Sequence, residues 1–270
     1  MQTKNALRTV LALQTTLFST PLSRRTFIAT SATSSITLAI NNANSNFDPT
    51  MTNVSEERSG QTAKMWDKFA KGYAEQPIEN QEAYDKKVSI TQKYLQKHME
   101  VLEYGCGTGE TSMIHAPFVK HILATDISGK MLESARKRLE ESPEVKNVEF
   151  QQVSIDQLQL QDESKDVVLG LSILHLLLKN RDEVISKTYT WLKPGGLFVT
   201  STACIGDMGA SPFLKRLLPI GSFFGFTPYV DAGITKEKLR ESLIQHRFTI
   251  EYEWQPKKDA AVFIVAKKSA

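Results

Sequence analysis

From Thr62 to about His98, apolar residues recur at helical spacing: Trp66, Phe69 and Tyr73, then Tyr84, Val88, Ile90, Tyr94 and Leu95. Pro77 predicts a break between two helices. Beyond them short apolar runs alternate with amphipathic segments, the pattern of a parallel sheet covered on both faces. Strands are predicted at Glu100 to Tyr104, His121 to Thr125, Val148 to Val153, Val167 to Ile173 and Leu197 to Thr202, the last entered through the turn Lys193-Pro194-Gly195-Gly196. The first strand runs into Gly105-Cys106-Gly107-Thr108-Gly109 and a helix carrying Met113, Ile114 and Phe118. A further helix, Ser128 to Glu141, turns Met131, Leu132, Ala135 and Leu139 inward, with Ser128 as its N-cap. At the end of the chain, Phe248, Ile250, Tyr252 and Trp254 alternate strictly with polar residues, as on a strand with one wet face. A polar turn, Pro256 to Asp259, then leads to a strand at Ala261 to Ala266, so this pair is expected to close the sheet as an antiparallel hairpin.

Composition narrows the classes of function. The 270 residues hold 33 Lys plus Arg against 30 Asp plus Glu, and the net charge of +3 comes entirely from residues 1–50. The remaining body is neutral, so it has no field with which to gather nucleic acid. Two cysteines, Cys106 and Cys204, are too few for a disulfide framework, and no metal-ligand cluster is expected at the strand ends. No apolar run reaches the ~18 residues of a membrane span.

Residues 1–50 contain 16 Ser and Thr, four basic residues and one acid, the profile of an organelle transit peptide. Leu7, Val10, Leu11 and Phe18 can share one helical face, with Lys4 and Arg8 off it. A mitochondrial address is the expectation. A plastid address, a twin-Arg signal at Arg24-Arg25, a disordered tail and a cytoplasmic form started at Met51 are the alternatives. A polar linker, 51–61, leads to one domain over 62–270, with a helical cap at 62–98 and a lid-like apolar insertion at 203–235.

The glycine-rich turn decides the class. A dinucleotide fingerprint needs Gly or Ala where Glu110 stands, which weakens an NAD-dependent oxidoreductase. A P-loop needs Lys followed by Ser or Thr after Gly109, whereas Glu110 and Thr111 follow. A diphosphate here would also face Glu103 and Glu110 with no basic residue to offset them. A cation is the better ligand, and S-adenosylmethionine (SAM) carries both a sulfonium and an ammonium. Asp126, 17 positions after Gly109, suits a ribose diol in either reading.

Val101 to Gly109, the pair Asp126-Ile127, and Leu192-Lys193-Pro194-Gly195-Gly196 together resemble the class I SAM-dependent methyltransferases, in particular the type 11 small-molecule domain, from about Trp66 to Lys268. The resemblance implies an α/β, Rossmann-like, seven-stranded, mostly parallel sheet with an antiparallel last strand. It implies Glu103 near the methionine end of SAM, Gly105, Cys106, Gly107 and Gly109 beneath it, Asp126 on the ribose and Ile127 beside the adenine. Ser154 stands where many relatives have an acid for the adenine amine, with Ile155 and Asp156 next to it. Leu171 and Ser172 match the motif that borders donor and acceptor.

Methyl transfer is an in-line displacement, and a base is needed only for a weakly nucleophilic acceptor. His175 is the candidate base; a histidine hydrogen-bonded at the sheet edge is the structural alternative. Tyr73, Phe223 and Phe224 are expected to line a pocket for a small apolar or amphipathic acceptor. The segment 212–229, with Lys215 and Arg216, is also readable as a peripheral membrane contact or as a helix packed on the core. A SAM-binding assembly or regulatory factor without catalysis is the alternative function.

Overall fold

The computed structural model describes residues 51–178, 180–208 and 230–269. Two helices, α1 (Met51–Glu75) and α2 (Gln81–Tyr94), precede the sheet. The break falls where Pro77 demands it, and Asn80 caps α2 by accepting from the Ala83 amide. The polar stretch 51–61, expected as a linker, is helical from Met51 onward. The expected transit peptide, 1–50, and the apolar segment 212–229 with Phe223 and Phe224 lie outside the described residues.

Alternating strands and helices follow: β1 (Glu100–Tyr104), α3 (Glu110–His115), β2 (His121–Asp126), α4 (Gly129–Glu140), β3 (Val148–Gln152), β4 (Lys165–Leu171), α5 (Arg181–Trp191), β5 (Leu192–Thr202), α6 (Lys236–Gln245), β6 (Phe248–Trp254) and β7 (Val262–Lys268). They form one seven-stranded sheet ordered β3-β2-β1-β4-β5-β7-β6. Its first five strands are parallel, and β7 runs antiparallel to both β5 and β6.

Alternation along each strand divides the core in two. On one face Val101, Leu169, Val199 and Val265 pack with Ile90 of α2, Met113 of α3 and Leu132 of α4. On the other, Leu102, Val168, Phe198 and Ile264 meet Val184 and Ile185 of α5 and Leu239 and Leu243 of α6. Burying each such side chain contributes ~1.5–3 kcal/mol, and burial on both faces explains why the central strands lack a polar stripe.

Two departures from the expected elements have local causes. β5 begins at Leu192, because Leu192 pairs with Lys165 before the Lys193-Pro194-Gly195-Gly196 turn bulges out and pairing resumes at Val167 and Leu197. In β6 the register shifts between Ile250 and Tyr252, so the strict alternation read from the sequence is interrupted by a bulge.

Candidate active site

The sheet order reverses direction between β1 and β4, leaving a crevice beyond their carboxyl ends, where ligands of open α/β sheets bind. β1 delivers Glu103 there. Its side chain shares a face with Val101, yet it is a carboxylate 3% exposed in a position otherwise given to core residues. Such an acid is costly unless it is bonded or used. The Ser112 hydroxyl of α3 donates to Glu103, and burial still pushes the carboxyl up to about 7, with Asp126 adding repulsion.

The turn after β1 holds Gly105, Gly107 and Gly109 at φ of 69°, 54° and 73°. At Gly109 a Cβ would also lie 2.6 Å from Phe150 and 2.9 Å from Ala135, so side chain and backbone both require glycine. At Gly107 an added Cβ would meet only Tyr73, at 3.8 Å, so this glycine opens toward the crevice under α1.

Three amides of the turn are already engaged. Cys106 donates to the Thr125 carbonyl, Gly109 to the Cys106 carbonyl, and Gly107 to Asp126 Oδ2 at 2.9 Å. Asp126 Oδ1 accepts from the Ser128 amide at 2.9 Å. Burial raises the Asp126 carboxyl and these amides hold it down. A pyrophosphate would face the carboxylates Glu103 and Asp126 across this turn, whereas a cation with a ribose finds both as partners. The residues present fit SAM.

Helices α1 and α2 cover this turn. Tyr73 is 54% exposed, while its phenol is raised by burial and by the carboxylates Asp126, Glu110 and Glu103. Tyr84 Oη lies 3.4 Å from Thr111 Oγ1. Asp67 of α1 accepts from Ser128 Oγ at 2.6 Å and from the Lys130 amide at 3.1 Å, tying α1 to the start of α4. Ser128 is the cap of α4, accepting from the Met131 amide.

At the ends of β2 and β3, Gln152 donates to the Ile127 carbonyl at 3.2 Å. Ser154 is buried, and its carbonyl accepts from Gln157 and Leu158 in a turn that contains Ile155. Asp156 is exposed and accepts from Asn180 at 3.1 Å. Ser154 and Asp156 thus face different surroundings although two residues apart.

At the opposite side, Leu171 ends β4 and pairs with Ser201 of β5. Ser172 turns left-handed at φ 58°, and its amide donates to the Ser201 carbonyl at 2.8 Å. His175 lies in a single 3₁₀ turn, Leu174–Leu176. Its Nδ1 is buried without a hydrogen-bond partner among the described residues, and burial lowers the imidazole to about 4. It is therefore neutral at pH 7 and too weak a base to favour taking a proton, which suits it to hydrogen bonding instead. Burial pushes both thiols up, Cys204 to about 12, which leaves no thiolate nucleophile.

Several residues here escaped the sequence reading. Ser112 and Thr111 open the helix that follows the glycine turn, where hydroxyls beside a strand-end acid were a legible signal. Asp67 and Lys87 sit at polar helix positions that look solvated in sequence and Tyr84 at an apolar one, and only packing brings them to the site. Lys87 Nζ donates to Ser201 Oγ at 2.9 Å.

Comparison with known proteins agrees with this geometry. Residues 101–196 match a family model described as a methyltransferase domain. A demethylmenaquinone methyltransferase of Leptospira interrogans is 34% identical over 106 residues, covering 38% of this chain and 42% of that protein. The chain thus spans under half the length of this relative. A demethylmenaquinone methyltransferase of Symbiobacterium thermophilum is 27% identical over 67% of this chain and 72% of that protein. Among solved structures, the [4+2]-cyclase SpnF superposes with a TM-score of 0.63 at 16% identity, over 78% of this chain and 96% of that one, a likeness of fold. The glycine turn with its buried acids and the reversal of strand order beside it lie within residues 101–196, and this part of the chain is similar to the SAM-dependent methyltransferase domain.

Proposed function

We propose that the chain transfers a methyl group from SAM to a small amphipathic acceptor of the quinol or phenol kind. The observation that carries this reading is the buried Glu103 carboxylate beside a glycine turn whose Gly107 amide is spent on a second acid, Asp126. The acceptor class is supported by relatives named for demethylmenaquinone. SAM supplies an electrophilic methyl on a sulfonium. The protein's part is to align, to exclude water and to hold charge, and alignment alone contributes ~7–11 kcal/mol.

In this reading Glu103 faces the methionine end, the turn from Gly105 through Cys106 and Gly107 to Gly109 lies beneath it, and Asp126 takes the ribose diol. Ile127 packs on the adenine. Asp156 is already bonded to Asn180, so Ser154 and the Ile155 backbone take the adenine edge. Leu171, Ser172 and Tyr73 border the acceptor, Phe223 and Phe224 cover it, and His175 hydrogen-bonds its hydroxyl. Residues 1–50 serve as an organelle address, and 212–229 brings the pocket to a lipid surface.

Incubation of the protein with labelled SAM and 1,4-naphthohydroquinone, followed by mass spectrometry, tests the reading. A singly methylated product is expected. Tight SAM binding with no labelled product, from this acceptor or from an organelle extract, would favour a non-catalytic binding factor instead.

A further inference from the structure

We propose that Lys87 and Ser201 form an oxyanion subsite that holds the ionised hydroxyl of the acceptor, a phenolate or hydroquinone monoanion, beside the methyl-transfer position. The proposal rests on the methyltransferase reading for its acceptor but on separate residues for its chemistry. Glu103 is level with Leu169 of β4, and Leu171 with Ser201 of β5, so Ser201 faces the same side of the sheet as Glu103, two strands across and two residues further on. With strands spaced ~4.8 Å apart and residues ~3.3 Å along each strand, that is ~10 Å across and ~7 Å outward, on the acceptor side of the crevice.

The Lys87 ammonium has three donors and spends one on Ser201 Oγ. It is partly buried, and among the described residues it forms no ion pair. The 209–229 segment has no Asp or Glu, so it carries no acid that would neutralise this charge. Burial lowers the amine, as it does for a cation without a counter-charge. On the same face of α2, one turn earlier, Tyr84 reaches Thr111 beside the donor turn, so one helix spans both halves of the site. A lysine used only to bond a serine would be better replaced by an apolar side chain. An anionic oxygen arriving from the crevice satisfies the remaining donors and keeps electron density on the ring that attacks the methyl.

The probe is 4-nitrophenol, whose phenolate absorbs in the visible, titrated into the full chain, with SAM binding followed in parallel by calorimetry. The wild type is expected to bind the phenolate form and to lower the apparent pKa of the bound dye. Lys87→Met should weaken phenolate binding about ten- to a hundredfold, the effect of losing a charged hydrogen bond, with Lys87→Arg within about threefold of wild type and SAM affinity unchanged in both. Equal phenolate binding by wild type and Lys87→Met, or binding of the neutral phenol alone, overturns the proposal. Ser201→Ala gives a second arm if Lys87→Met does not fold: a severalfold loss supports the subsite, and no loss rejects it. If SAM fails to bind while phenolate binding still depends on Lys87, the methyl-transfer reading falls and the subsite stands.

Discussion

Glu103 and His115 titrate in opposite senses, and each can be unmasked by substitution. The Glu103 carboxyl is raised by burial from about 4.5 to about 7, so it contributes stability below pH 4.5 that is lost as pH rises through 7. Glu103→Gln keeps an acceptor for Ser112, so the variant should be more stable than wild type above pH 7, by about 3 kcal/mol, as read by denaturant unfolding. His115 is 1% exposed, neither ring nitrogen has a partner among the described residues, and burial lowers it from 6.5 to about 4. Here the folded pKa is depressed, so the unfolded chain takes up the proton first and stability falls as pH drops from 6.5 toward 4. His115→Leu should lose about 3 kcal/mol less over that window. Parallel pH profiles of the variant and the wild type would contradict the assignment.

Besides the packing of its buried Met65 and Ala70, helix α1 is tied over the donor turn by Asp67, which takes both the Ser128 hydroxyl and the Lys130 amide at the start of α4. Asp67→Ala leaves those donors to water and should cost ~1–2 kcal/mol of stability. It should also weaken SAM binding severalfold, because Tyr73 rides on the same helix over Gly107. Calorimetry of SAM together with thermal unfolding checks both, and an unchanged SAM affinity would show that α1 covers without closing. The Ser128 cap was legible in the sequence, because an N-cap is a local rule. The Asp67 bond was not, because it joins residues 61 positions apart. For the same reason hydrophobic spacing found both N-terminal helices but not the face that meets the turn, nor the bulge at Ile250 and Tyr252.

Across the molecule, the order β3-β2-β1-β4-β5-β7-β6 separates two chemistries along one sheet edge. β1 and β2 bring the carboxylates Glu103 and Asp126 to one side, and β4 and β5 bring Leu171, Ser172 and Ser201 to the other. The alternation of strands and helices was readable from local pattern, and so were the acids and glycines of the donor turn, which are contiguous in the chain. Strand neighbours depend on non-local packing, which is why Lys87, 114 residues before Ser201, carried no sequence signal. The central claim is that this edge cradles a cationic donor against a buried carboxylate, and calorimetry of SAM between pH 5.5 and 8.5 (chosen to bracket about pH 7), for wild type and Glu103→Gln, tests it most directly. The prediction is wild-type affinity that falls below pH 7, approaching tenfold per unit as Glu103 takes up its proton, and a Glu103→Gln variant that binds at least about tenfold more weakly at pH 8 with that pH dependence gone. Wild-type affinity that ignores pH across this range, or equal binding by the two proteins, would contradict it.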